Sequence, residues 1–142
     1  MTTALDSNVL IALWDRDADL NRAAQKALDE AQAIGALVIS GAGYAELLAL
    51  PARSESMLDA FFAETGIRIE WSLGERAWRA AGGAFQGYVR RRNKQKDALP
   101  RRILADFLIG AHAAVHGYRL LTLDQRLYRA AFPELELVGP PM

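Results

Sequence analysis

A chain of 142 residues is long enough to bury one core and too short for several domains, and 51% hydrophobic with 24% charged residues are the proportions of a soluble globular protein. The absence of cysteine excludes disulfides, thiolate metal sites and Cys nucleophiles and suits a reducing cytoplasm. The start of the chain lacks the basic flank and apolar run of a signal peptide, and no segment approaches the roughly 20 apolar residues that span a bilayer.

The chain opens on Thr3, Ala4 and Leu5, a short apolar run that reads as a buried strand. Asp6, Ser7 and Asn8 follow, each able to cap a helix N-terminus, and an apolar helix is expected over residues 7–14. A strand that ends in a carboxylate and turns into a helix places Asp6 where ligands bind in open α/β sheets, unless Asp6 serves only as the helix cap. Residues 15–19 read as a polar loop, and residues 21–34 as a helix of good helix formers with Gly35 at its C-terminus. Residues 36–40 read as a second strand, and Gly41-Ala42-Gly43 as a turn into a short helix that carries Glu46 and is closed by Pro51.

Residues 54–65 form the next expected helix, ended by Gly66, and residues 67–71 alternate like a third strand. A helix is expected over residues 74–88, weakened in its middle by Gly82 and Gly83. Between residues 90 and 102 lie Arg90, Arg91, Arg92, Lys94, Lys96, Arg101 and Arg102 against one acid, Asp97, so the neutral total hides a basic stripe on an acidic body. Residues 98–100 read as a break. Residues 101–116 should be the most buried helix, with Asp106 inside it and Gly117 as its C-cap. Residues 118–123 read as a fourth strand ending at Asp124, residues 125–131 as a short helix, and residues 135–138 as a fifth, edge strand. Strands alternating with helices imply an α/β fold with a parallel sheet covered on both faces, and no linker or repeat marks a second domain within residues 1–142.

Four carboxylates stand in unusual settings. Asp6 and Asp124 follow strands, and Glu46 and Asp106 sit in strongly apolar helices, where a charge is costly unless it is paired or binds a metal. Each alone is explained by a cap or a salt bridge; the four together suggest the oxygen ligands of a hard cation such as Mg²⁺ or Mn²⁺. Such a site activates water and stabilises the leaving oxygen in phosphodiester hydrolysis. Ser7, Asn8 and Thr122 are candidates to orient a carboxylate or a bound water, alongside their plain role as caps and turn formers. His112 and His116 have the i, i+4 spacing of a zinc pair, but the intervening residues Ala113, Ala114 and Val115 supply no Glu. His116 reads as a surface residue at a helix end, and His112 as a core histidine or part of the site lining. Arg90, Arg91, Arg92, Lys94, Arg101 and Arg102 either contact a phosphate backbone or form a solvated helix end. Phosphate-binding glycine loops and a Gly-x-Ser-x-Gly elbow are both missing from the sequence.

With these residues identified, the chain resembles the PIN-domain ribonucleases, and within them the VapC toxins of toxin–antitoxin pairs. The resemblance runs over nearly the whole chain. It rests on Leu5-Asp6-Ser7-Asn8, on Glu46 about 40 residues later, on the run from Ala105-Asp106 to Ala113, and on Leu121-Thr122-Leu123-Asp124 followed by Phe132-Pro133 and a final strand. It implies a three-layer α/β/α fold with a five-stranded parallel sheet and the acids gathered at its carboxyl edge. It further implies a Mg²⁺- or Mn²⁺-dependent endoribonuclease, usually a homodimer, in which the positions of Asp6, Glu46, Asp106 and Asp124 bind metal and activate water. A cognate antitoxin would cover the site, often with a basic residue among the acids. Two other readings remain. One is a non-catalytic RNA- or protein-binding protein of the same fold. The other is a phosphatase of the haloacid dehalogenase type, which calls for Asp-x-Asp where this chain has Asn8 as the second member.

Overall fold

The computed structural model describes residues 1–94 and 104–140. Lys96, Asp97, Arg101, Arg102 and the expected break at 98–100 lie outside the described residues.

The strands are β1 (Thr3–Leu5), β2 (Leu37–Ser40), β3 (Arg68–Glu70), β4 (Arg119–Leu121) and β5 (Leu137–Val138). They form one parallel sheet in the order β3-β2-β1-β4-β5, so β1 is central. The helices are α1 (Ser7–Leu13), α2 (Ala18–Ile34), α3 (Gly41–Leu48), α4 (Glu55–Thr65), α5 (Glu75–Lys94), α6 (Leu104–His116) and α7 (Gln125–Ala131). Consecutive residues of a strand point to opposite faces, and here both faces are buried. Leu5, Ile39 and Leu121 pack with Val9, Leu10, Leu47, Leu58 and Phe62 from α1, α3 and α4. Ala4, Val38 and Leu120 pack on the other face with Ala77, Ala81, Phe107, Ile109 and Tyr128 from α5, α6 and α7. The result is a three-layer α/β/α arrangement.

Several boundaries differ from the sequence-based expectation, each for a local reason. Helix α2 starts three residues early because Asp17 caps it, accepting hydrogen bonds from the amides of Asp19 and Leu20 at 2.9 and 3.2 Å. Gly35 does follow α2, but in extended backbone rather than a left-handed cap (φ 164°). A Cβ there would run into the backbone of Met1, whose amino group donates to the Ile34 carbonyl at 3.2 Å. No turn separates β2 from α3. Ser40 caps the helix directly by accepting from the Gly43 amide at 3.3 Å, and a Cβ on Gly43 would lie 2.8 Å from Ile39. Gly66 and Gly117 do adopt the left-handed conformation that ends α4 and α6 (φ 75° and 72°).

Helix α5 is uninterrupted through Gly82 and Gly83, both of which face solvent, while Ala77, Ala81 and Tyr88 keep one face buried. It extends to Lys94, so Arg90, Arg91, Arg92 and Lys94 occupy its last turns. Phe85 and Tyr88 pack against Phe107, with ring centroids 5.1 and 5.5 Å apart. The C-terminal half of α5 therefore lies beside the first turns of α6, and the two helices are antiparallel neighbours.

Candidate active site

Asp6 and Asp124 follow β1 and β4 at the carboxyl edge of the sheet, and Glu46 on α3 is tied to that edge through Ser7. β1 ends at Asp6, whose amide continues the ladder by donating to the Leu121 carbonyl at 2.9 Å. Asp6 occupies the N-cap position of α1, but its side chain closes no capping hydrogen bond. The carboxylate turns instead toward β4, where the Thr122 hydroxyl donates to Asp6 Oδ2 at 2.8 Å. The reading of Asp6 as a helix cap alone therefore fails.

Thr122 is the hub of this edge. Its Oγ1 accepts from the Asp124 amide at 3.0 Å and from Asn8 Nδ2 at 3.4 Å. With two donors aimed at the oxygen, its own proton is directed to Asp6. Asn8 Oδ1 in turn accepts from the Leu123 amide at 3.2 Å, which ties the first turn of α1 to the end of β4. Ser7 works on the other side, donating to Glu46 Oε1 at 2.7 Å and so holding the α3 acid beside α1. The three residues proposed to orient the acids from sequence thus bond with Asp6 or Glu46, or, for Asn8, with Thr122.

Asp124 caps α7, accepting from the Leu127 amide at 3.5 Å, a long bond that commits it weakly. Asp106 lies in the first turn of α6, partly exposed, as are Glu46 and Asp124. Asp6 is the buried member, 4% exposed. Burial pushes its carboxyl above the usual range, the Thr122 and Tyr128 hydroxyls oppose that shift, and the Glu46 charge adds to it.

Tyr128 was not singled out from sequence. It is fully buried, and its hydroxyl oxygen has no geometrically complete hydrogen bond. The hydroxyl nevertheless lies near enough to Asp6 to favour the ionised carboxylate, and burial followed by the charges of Asp6 and Asp106 strongly disfavours its own ionisation. The available sequence signal was spacing: Tyr128 follows the strand-end Asp124 by four residues, on the same face of α7.

The histidine pair belongs elsewhere. His112 is a core residue whose Nε2 meets Glu70 Oε1 at 2.8 Å. Exposed His116 directs its Nδ1 to the His112 carbonyl at 2.8 Å. Each contact takes one ring nitrogen, and among the described residues no third His, Asp or Glu is placed to complete a metal site with them.

The acid set is all oxygen, which suits Mg²⁺ or Mn²⁺ better than zinc or copper. Among the described residues, no group of three or more His, Asp or Glu side chains is arranged to hold a metal ion. Mg²⁺ keeps several waters, however, and is usually held by one or two carboxylates. Buried Asp6, raised further by Glu46, is a charge that a cation would neutralise. On donor chemistry and electrostatics the residues fit such an ion.

The basic residues of α5 lie at the same end of the molecule. Tyr88 packs on Phe107, the residue after Asp106, and Lys94 lies six residues further along the helix, about 9 Å at 1.5 Å per residue. Arg90, Arg91 and Lys94 are exposed.

Residues 3–133 match the family model of the PIN domain. A comparison with curated proteins finds no match. Among solved structures, the chain is similar to VapBC2 from Rickettsia felis bound to a DNA fragment from their promoter (21% identity, 97% of this chain and 98% of that one, TM-score 0.66). It is also similar to VapBC-1 from nontypeable Haemophilus influenzae (20%, 98% of each chain, TM-score 0.67). A toxin–antitoxin complex from Klebsiella pneumoniae is a third neighbour (21%, 99% of each chain, TM-score 0.61). At these identities the likeness is one of fold.

Proposed function

Because the chain belongs to the PIN-domain family, we propose that it is a nuclease, specifically a Mg²⁺- or Mn²⁺-dependent endoribonuclease acting as the VapC-type toxin of a toxin–antitoxin pair. The observation that carries this reading is Asp6: a buried strand-end carboxylate that accepts a hydrogen bond from the Thr122 hydroxyl and faces the Glu46 charge. Asp6, Glu46, Asp106 and Asp124 would hold the cation. When bound, the cation lowers the pKa of a coordinated water and neutralises charge on the phosphate. Thr122 keeps Asp6 in one rotamer, Ser7 holds Glu46 over the first turn of α1, and Asn8 fixes the β4 end that carries Thr122 and Asp124. Arg90, Arg91, Arg92 and Lys94 on α5 contact the RNA backbone on the Asp106 side; Arg101 and Arg102 belong to the same proposed surface by sequence.

The reading extends to partners. A toxin–antitoxin neighbour of the same fold supports a cognate antitoxin that covers the acidic edge, and the family resemblance supports a homodimer. No helix among the described residues is long and apolar enough to cross a membrane. The family resemblance supports a cytoplasmic protein with a single PIN domain over residues 1–142.

A second reading, a binding-only member of the fold, draws on the failure of any three described side chains to form a ready metal cluster. The phosphatase alternative loses ground because Asn8, where a second Asp is needed, is engaged by Thr122 and Leu123. A labelled, mixed RNA pool incubated with purified protein and Mg²⁺, Mn²⁺ or EDTA separates these readings. Endoribonuclease activity predicts internal cuts that EDTA abolishes and that Asp6→Ala and Asp106→Ala reduce by more than about a hundredfold, beyond the usual loss for a residue that only supports a ligand. The binding-only reading predicts RNA retention without cutting, and calorimetry that detects no metal uptake.

A further inference from the structure

Among the described residues the largest fully buried side chain is Tyr128, and its hydroxyl makes no hydrogen bond of complete geometry. A buried hydroxyl without a hydrogen-bond partner costs about 1–3 kcal/mol, so its retention at a core position calls for a reason. Phenylalanine would fill the same space without that cost.

The placement of the ring supplies the reason. Tyr128 lies on α7 one turn after Asp124, the helix N-cap. Helical side chains lean toward the helix N-terminus, so the hydroxyl points to the carboxyl edge of the sheet. The ring itself sits against Gly110, one turn below Asp106 in α6, where a Cβ would come within 3.0 Å of Tyr128 Cδ1. Gly110 thus leaves room for both rings, Phe132 closest and Tyr128 beside it, against α6. At the carboxyl edge, Asp6 Oδ2 already accepts a hydrogen bond from Thr122, which leaves about three lone-pair directions, two of them on the other carboxylate oxygen, to be oriented.

We infer that Tyr128 is a positioning residue for the cation: its hydroxyl donates to the Asp6 carboxylate when the site is loaded and, together with Thr122, fixes which oxygen faces the metal. This inference rests on the metal-dependent reading above. Donors behind a ligating carboxylate hold its plane, and their loss typically weakens metal binding by 10–100-fold. The Tyr128 hydroxyl lies close enough to Asp6 to favour its ionised form yet makes no hydrogen bond of complete geometry, so a small turn of the carboxylate would close one.

The test is Tyr128→Phe compared with the unaltered protein by Mn²⁺ titration calorimetry and by thermal melting in EDTA. The expected result is a Mn²⁺ affinity lower by about tenfold, with a melting temperature in EDTA equal to or above that of the unaltered protein. An affinity unchanged by Tyr128→Phe, in a protein that does bind Mn²⁺, overturns the inference and leaves the proposed function standing. A melting temperature several degrees lower in EDTA also overturns it, because the hydroxyl would then hold the fold together. An unaltered protein that takes up no Mn²⁺ overturns this inference and the metal-dependent reading together.

Discussion

His112 carries a titration that the acidic edge does not share. It is 1% exposed, and on α6 it faces Glu70 at the end of β3, Tyr118 before β4 and His116 on its own helix, with Arg68 beyond Glu70. Burial holds its pKa below the ordinary 6.5 despite the Glu70 bond, and the His116 charge lowers it further. Burial also works to raise Glu70, but hydrogen bonds from His112, Tyr118 (2.9 Å) and Arg68 (3.1 Å) outweigh it and leave the carboxyl below its usual range. Both shifts act in one direction. Between the lowered folded pKa of His112 and 6.5 the unfolded chain binds more protons, so stability falls as pH drops through that window. The Glu70 contribution is complete above 4.5 and is lost as pH falls through its own lowered value. His112→Gln should therefore lose less melting temperature than the unaltered protein between pH 7 and pH 5. Parallel pH profiles for the two proteins would remove His112 as the source.

The same scale shows what sequence can and cannot carry. Asp6, Glu46, Asp106 and Asp124 stood out because a charge in an apolar context is conspicuous one residue at a time. Ser7 and Thr122 stood out as their neighbours in sequence. Tyr128 did not, because a tyrosine in a short amphipathic helix is ordinary and its meaning lies in a hydroxyl without a partner. Glu70 escaped for a related reason: it looks like one position of an alternating strand until the fold brings α6 across it.

Among the elements, α7 depends on a missing side chain in its neighbour. It is seven residues long, capped by Asp124, and held against α6 by the rings of Tyr128 and Phe132 over Gly110. A Cβ at position 110 would approach Phe132 more closely than real contacts allow and crowd Tyr128 at 3.0 Å. Gly110→Ala is expected to destabilise the fold by about 1–3 kcal/mol as a core overpacking and to lower cleavage by displacing Tyr128 and Asp124. Chemical denaturation measures the first effect, and an unchanged midpoint would show that α7 shifts freely. The strand and helix sequence was legible from period and punctuation, since glycine and proline mark most boundaries. Glycine misleads at one boundary, where Gly41 and Gly43 read as a turn but sit inside α3, while Gly82 and Gly83 do not interrupt the expected helix. Ser40 begins α3 with a side-chain cap, and the exposed pair in α5 leaves the buried Ala77, Ala81 and Tyr88 face intact.

At the scale of the whole molecule, the proposed site and the basic residues share one end. The acids close the carboxyl edge of the sheet, and the packing of Tyr88 on Phe107 carries the last turns of α5 to the same end. Changing Arg90, Arg91 and Lys94 together to Ala should weaken RNA binding and flatten the dependence of log affinity on log salt by up to about two units, from roughly 0.7 per phosphate contact on a single strand. A salt slope equal to that of the unaltered protein would take these residues out of the interface. The location of the basic residues could be counted from sequence, but their side of the molecule could not, because it depends on α5 running antiparallel to α6.

The central strand has a temporal consequence. β1 pairs with β4, and the bond from Thr122 to Asp6 spans a sequence separation of 116. During synthesis Asp6 leaves the ribosome early, whereas Thr122, Asp124 and Tyr128 follow only after most of the chain has emerged. Until β4 docks beside β1, the growing chain carries the acid without the hydroxyls that orient it. The proposed site is therefore complete only once β4 has docked beside β1.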